Sequence, residues 1–108
     1  MKILFLLILL AASFISCAMA SVADVAITIK DHRFEPPEVK VAAGQKIKLI
    51  VHNQDATAEE FESYKLNREK MIPGGTKATI HIGPLSPGRY PFVGEFNEKT
   101  AQGAVIAE

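Results

Sequence analysis

From Val25 to Ala107 the chain is cut into short runs in which apolar and polar residues alternate, and that alternation most limits the folds open to it. Val25, Ile27 and Ile29 alternate with Ala26, Thr28 and Lys30, and Val39 and Val41 with Glu38 and Lys40. Ile47, Leu49 and Val51 share one parity, with Lys46, Lys48 and His52 on the other. Ala78, Ile80 and Ile82 alternate with Lys77, Thr79 and His81, and Tyr90 and Phe92 share one face. Successive side chains of a strand point to opposite faces, so each run reads as a half-buried strand. Pro36-Pro37, Ala43-Gly44, Pro73-Gly74-Gly75, Gly83-Pro84 and Pro87-Gly88 supply the turns between them. A last apolar stretch, Gly103 to Ala107, closes the chain. Ala58 to Leu66 reads two ways: its Ala and Glu content allows a helical turn, while Phe61 and Tyr64 suit an irregular strand. Strands at this spacing predict one all-β antiparallel sandwich, with no internal repeat or linker.

The first twenty residues have a different character. Met1-Lys2 gives a minimal positive start, Ile3 to Ile15 is apolar apart from Ser13, and Ala18-Met19-Ala20 fits a small-x-small cleavage pattern. These are the parts of a secretory signal, and the apolar run is short for a bilayer span. The expected organisation is a signal peptide over 1–20 and one domain over 21–108, exported to the periplasm. An uncleaved anchor is one alternative. Lipid modification at Cys17 is another, because Phe14-Ile15-Ser16-Cys17 weakly resembles a lipobox.

Cys17 is the only cysteine, so a chain cleaved after Ala20 has none and no disulfide framework. Twelve Lys and Arg balance twelve Asp and Glu, with the cations scattered singly along the strands. That distribution argues against a nucleic-acid stripe or a polybasic membrane patch. There is no serine in a glycine elbow, no phosphate-cradling glycine loop and no paired His on a helix, which lowers the case for a hydrolase or transferase.

Several strings, in order, resemble the cupredoxin family. "FEPPEVKVAAGQKIKLIVHN" is similar to that family's second and third strands, with Phe34-x-Pro36, Ala43-Gly44 and Asn53 at the strand end. "PLSPGRYPF" is similar to the "L-x-P-G-x-Y-x-F" corner that leads into the copper loop. The resemblance runs from about Val25 to Glu108 and implies a Greek-key β-sandwich. Tyr64 and Tyr90 could serve as redox relays, but Tyr90 reads rather as a corner residue whose hydroxyl ties down the following turn.

A blue-copper centre needs two imidazoles, a thiolate and a weak axial Met. Gly94 stands where the family has the Cys, Asn97 where it has a His, and Ala101 where it has the Met. The upstream His would fall just before Phe61, where the chain offers Ala58-Glu59-Glu60. Without a thiolate no such redox centre forms, so a blue-copper electron carrier is not expected.

A narrower resemblance covers Glu59 to the C-terminus. Glu60-Phe61-Glu62-Ser63, Arg68-Glu69-Lys70 and Phe96-Asn97-x-x-Thr100-Ala101-x-Gly103 are similar to the small periplasmic cupredoxin-like proteins and EfeO-type cupredoxin domains of bacterial iron uptake. Many of those carry a His where this chain has Asn97. The resemblance implies a role in iron acquisition beside an Ftr-type inner-membrane permease, with that permease or another periplasmic uptake protein as the partner.

Glu60 and Glu62 are the sharpest signal from the residues themselves. Two apart on a strand, they share a face at about 7 Å, with Phe61 turned to the core between them. Like charges so placed repel unless a cation or a basic partner lies between them. In a cupredoxin arrangement Glu95 approaches from the neighbouring loop, and Glu69 is a further candidate from the following stretch. Glu60, Glu62, Glu69 and Glu95 are therefore the candidate metal ligands. Carboxylates suit hard cations such as iron, manganese or calcium better than Cu(I). The competing reading is a solvated acidic face paired with Lys65, Arg68 or Lys70.

His32, His52 and His81 fall on separate segments and read as surface histidines. Met71, before Ile72-Pro73, reads as a packing residue. The function expected is metal handling in iron uptake, with iron as the expected metal and copper less favoured. A ferroxidase component, a metal-free docking module and, last, a copper-tolerance carrier are the alternatives.

Overall fold

The computed structural model describes residues 22–108. The predicted signal peptide, its cleavage site and Cys17 lie outside the described residues. Among these residues the chain forms nine strands: β1 Ala23–Lys30, β2 Arg33–Glu35, β3 Glu38–Val41, β4 Ile47–Asn53, β5 Glu59–Ser63, β6 Arg68–Ile72, β7 Lys77–Ile82, β8 Gly88–Gly94 and β9 Gln102–Ala107. One 3-10 turn, Glu95–Asn97, joins β8 to the segment before β9.

The strands make two sheets, one in the order β2-β1-β4-β7 and the other β3-β9-β8-β5-β6. Their apolar faces meet in a single core. Ile27, Ile29, Leu49, Val51 and Ile80 come from the first sheet, and Phe61, Ile72, Phe92 and Val105 from the second. Phe34, Phe61 and Phe92 form its aromatic centre, with Phe34 standing edge-on to both neighbours at centroid distances of 6.1 and 4.8 Å. Such edge-to-face pairs add to the area they bury.

The expected sandwich is present, but it is not antiparallel throughout. β1 runs parallel to β4, and β3 runs parallel to β9. Alternation reports which face a residue takes and is blind to strand direction, so the sequence pattern alone leaves these two pairings open. Ala58 to Leu66 resolves as strand rather than helix: β5 followed by a turn closed by the Asn67 N–H on the Tyr64 carbonyl at 3.1 Å. Gly44 makes its turn with φ of +77°, a backbone angle that suits glycine. The Tyr90 hydroxyl donates to the Ser86 carbonyl at 2.7 Å, so this corner ties down the preceding turn and not the following one. Asn53 reaches from the first sheet to the second, donating to the Ile72 carbonyl at 3.0 Å.

Candidate metal centre

The site grows from the alternation within β5. Glu59, Phe61 and Ser63 are buried, while Glu60 and Glu62 take the outer face. β5 pairs with β6 so that Glu60 faces Met71 and Glu62 faces Glu69. On its other side β5 pairs with β8, Phe61 with Gly94 and Glu62 with Val93. The next step of that antiparallel register brings Glu95 beside Glu60, as β8 runs into the 3-10 turn. Carboxylate oxygens of Glu60, Glu69 and Glu95 consequently lie within 4.8 Å of one another. Glu62 completes the face: it stands outside that trio yet close enough to Glu95 to feel it.

The electrostatics follow from the crowding. A hydrogen bond shared with the Glu69 carboxyl, aided by the charge on Glu95, pushes Glu60 up to about 7. A hydrogen bond with Glu95 and its charge raise Glu62 as well. In both cases a proton relieves the repulsion between neighbouring carboxylates.

The cations that could neutralise the cluster are engaged elsewhere. Lys65 donates to the Arg89 carbonyl at 2.6 Å and lies 4.8 Å from the centre of the Tyr90 ring. Arg68 donates to the carbonyls of His81 and Asn67. Lys70 lies between Glu69 and Met71, so strand alternation directs it to the other face. Among the described residues the ion pairs are His32–Asp55, Lys40–Glu108 and Arg89–Glu38, none of which touches these four glutamates. The four glutamates are solvent-accessible, and the pairing with Lys65, Arg68 or Lys70 that the competing reading calls for is not formed.

Directly beneath lies an acid that the sequence reading left out. Glu59 is 2% exposed, and its carboxylate accepts three hydrogen bonds. Oε1 takes the N–H of Glu60 at 3.0 Å and of Phe96 at 2.9 Å, and Oε2 takes Asn97 Nδ2 at 2.7 Å. The parity that turns Phe61 inward also turns Glu59 inward, which was the available signal. Gly94 packs on it so closely that a Cβ there would sit 2.6 Å from Glu59 Cδ and 2.7 Å from the Ala101 Cβ.

The family model for the Cupredoxin-like domain matches residues 2–107. The chain belongs to this family. An uncharacterized protein of Rickettsia prowazekii (strain Madrid E) is 48% identical over 86 residues, which cover 80% of this chain and 69% of that protein. The cupredoxin-like sandwich resembles auracyanin A, a blue copper protein of Chloroflexus aurantiacus, with a TM-score of 0.71 at 14% identity, covering 82% of this chain and all of that one. It also resembles the metal-binding domain of the Cu(I)-exporting P-type ATPase CopA of Streptococcus pneumoniae D39, with a TM-score of 0.70 at 14% identity over 83% and 98% of the two chains. Likeness at this identity concerns the fold.

A cupredoxin-like fold raises the question of copper, and the residues do not fit a type 1 centre. The positions that the family resemblance assigns to the ligands, around Glu59 and at Gly94, Asn97 and Ala101, do converge in space. They bring together a carboxylate, an amide, a glycine and an alanine, with no thiolate and no imidazole. The Glu59 side chain fills the space against Gly94 and Ala101 that larger ligand side chains would need.

The histidines stay apart, as expected. His52 and His81 point outward from β4 and β7. His32 sits in the turn between β1 and β2, its Nδ1 3.5 Å from Asp55, and its carbonyl accepts from Thr100 Oγ1 at 2.6 Å. Met71 departs from the packing role expected of it: it is 49% exposed. Ile72 takes the inward place on edge strand β6, so alternation sends Met71 to the outer face, opposite Glu60.

Proposed function

We propose that this cupredoxin-like protein binds a hard metal cation on the outer face of β5, with Glu60, Glu69 and Glu95 as ligands and Glu62 at the margin. The observation that carries the reading is three carboxylates within 4.8 Å with no lysine or arginine among the described residues to neutralise them. All-oxygen donors favour iron, manganese or calcium over Cu(I). Iron is the metal we assign, and the biological setting is iron uptake, in which the exported protein hands iron to an inner-membrane permease of the Ftr type. That setting is supported by the resemblance of Glu60-Phe61-Glu62-Ser63 and the strings after it to periplasmic iron-uptake proteins. Oxygen ligands stabilise Fe(III) over Fe(II), so one-electron oxidation of bound Fe(II) beside the permease, with the electron passing to dioxygen or to a separate redox protein, is the enzymatic variant of the same reading.

The test is an anaerobic titration of the purified protein with Fe(II), followed by Mn(II) and Cu(II), read by calorimetry. Stoichiometric Fe(II) binding that disappears in E60A/E62A/E69A, with the fold retained by circular dichroism, is the expected result. Binding that survives the triple replacement overturns the ligand assignment. A second reading is favoured by the exposed apolar residues around the acids: Tyr64 at 98%, Phe96 at 51% and Met71 at 49% exposure. They would suit a metal-free module that docks on an uptake partner, the outcome indicated if no ion binds.

A further inference from the structure

We propose that Glu59 is a positioning residue: its buried carboxylate, standing where the family resemblance would put a copper, clasps β5 to the Glu95–Asn97 turn and so fixes how far Glu60 lies from Glu95. One oxygen, Oε1, accepts from the N–H of Glu60 and from the N–H of Phe96. The first belongs to one of the acids of the cluster, and the second is the next residue after another. Both backbones are therefore tied to a single atom. Oε2 secures the far end of the turn through Asn97 Nδ2, and the Ala101 N–H on the Asn97 carbonyl at 2.7 Å carries that anchorage to the start of β9.

The clasp leaves little freedom. Glu59 is walled by Gly94, where even a Cβ would meet both Glu59 and the fully buried Ala101. The 3-10 turn is only three residues long and has no side-chain cap of its own. The Glu59 carboxylate supplies the buried acceptor that such a turn needs in order to hold one conformation. Residues that orient ligands from behind commonly change metal affinity by about 10–100-fold when removed. The clasp stands on hydrogen bonds alone; its consequence for binding rests on the cation reading above.

Two measurements test it, and they fail separately. The first is amide hydrogen exchange in the metal-free wild-type protein. The Phe96 N–H is expected to exchange about tenfold or more slowly than an open loop amide, although the Phe96 side chain is half exposed, because its partner is buried. Loop-like exchange at Phe96 overturns the clasp whatever the protein binds. The second is Mn(II) affinity by calorimetry for wild type, E59Q and E59A. In E59Q the amide oxygen still accepts both N–H groups, and its NH₂ meets the Asn97 carbonyl oxygen once that side-chain amide turns over. E59Q is expected to stay within about threefold of wild type, and E59A to lose about tenfold or more. Equal affinity in wild type and a folded E59A overturns the positioning role. If E59A does not fold, E59Q and the Phe96 exchange rate decide the matter. Failure of the wild type to bind any cation counts against the proposed function, while slow Phe96 exchange would still uphold the clasp.

Discussion

Glu62 of β5 faces Glu69 of β6 directly across the strand pair, like charge against like. Such a pair is destabilising where it stands. Strand pairing alone would favour opposite charges at this edge position, so the pair does not serve the pairing of β5 with β6. E69Q removes the repulsion at an exposed surface position. The metal-free variant is expected to melt a few degrees above wild type, with Fe(II) binding weakened at least tenfold. A thermal melt and a calorimetric titration of the same preparation check both halves.

The raised Glu60 carboxyl gives the stability a definite pH slope. An unfolded chain leaves this group near its ordinary value of 4.5, whereas the folded cluster pushes it up to about 7. Between those values the folded protein binds more protons than the unfolded one, so stability falls as pH rises through the window. The metal-free protein is expected to show its highest melting temperature from this source below 4.5 and to lose the contribution by about 7. On the proposed reading a bound cation replaces the proton, so affinity is expected to rise over the same interval, with proton release on binding. E60Q, which cannot titrate, should flatten the melting profile across that range.

How much of this was legible beforehand depends on what strand alternation can express. Alternation put Phe61 inside and Glu60 and Glu62 outside, and the β5 burial pattern agrees. It could not give the β5–β6 register that sets Glu69 opposite Glu62, nor the parallel neighbours of β1 and β3, because both depend on partners distant along the chain. Glu59 was missed for a different reason. A buried carboxylate is costly unless fully hydrogen-bonded, and two of its three donors, Phe96 N–H and Asn97 Nδ2, lie more than thirty residues away. Met71 was expected to pack because it is apolar, yet Ile72 takes the one inward position at the end of β6.

The place that Glu59 takes requires glycine at position 94. A Cβ at position 94 would fall 2.6 Å from Glu59 Cδ, so even G94A must displace a hydrogen-bonded carboxylate or the β8 backbone. Overpacking of this kind costs about 1–3 kcal/mol, measurable by urea denaturation. G94C restores the family's thiol position but meets a carboxylate, an amide and an alanine instead of imidazoles and a thioether. Adding Cu(II) to G94C is expected to give no intense visible charge-transfer band. Appearance of that band would mean that Glu59 yields its place more readily than its hydrogen bonds imply.

Asn53 offers the clearest test of what joins the two sheets. Its side chain is fully buried, donates to the carbonyls of Thr57 at 2.9 Å and Ile72 at 3.0 Å, and accepts from the Asp55 N–H at 3.1 Å. N53A strands two carbonyls and one N–H and should cost about 1–3 kcal/mol. N53D preserves the shape and the acceptor but loses both donors. An ionised carboxylate would then face two carbonyl oxygens inside the protein. The variant is therefore expected to be less stable than N53A at neutral pH. Its carboxyl can donate to only one carbonyl when protonated, so N53D should recover part of its stability as pH falls, whereas N53A should not gain from that step. Urea denaturation of wild type, N53A and N53D at neutral and acidic pH separates the three cases, because only a site that needs two donors ranks N53D below N53A and narrows the gap on acidification.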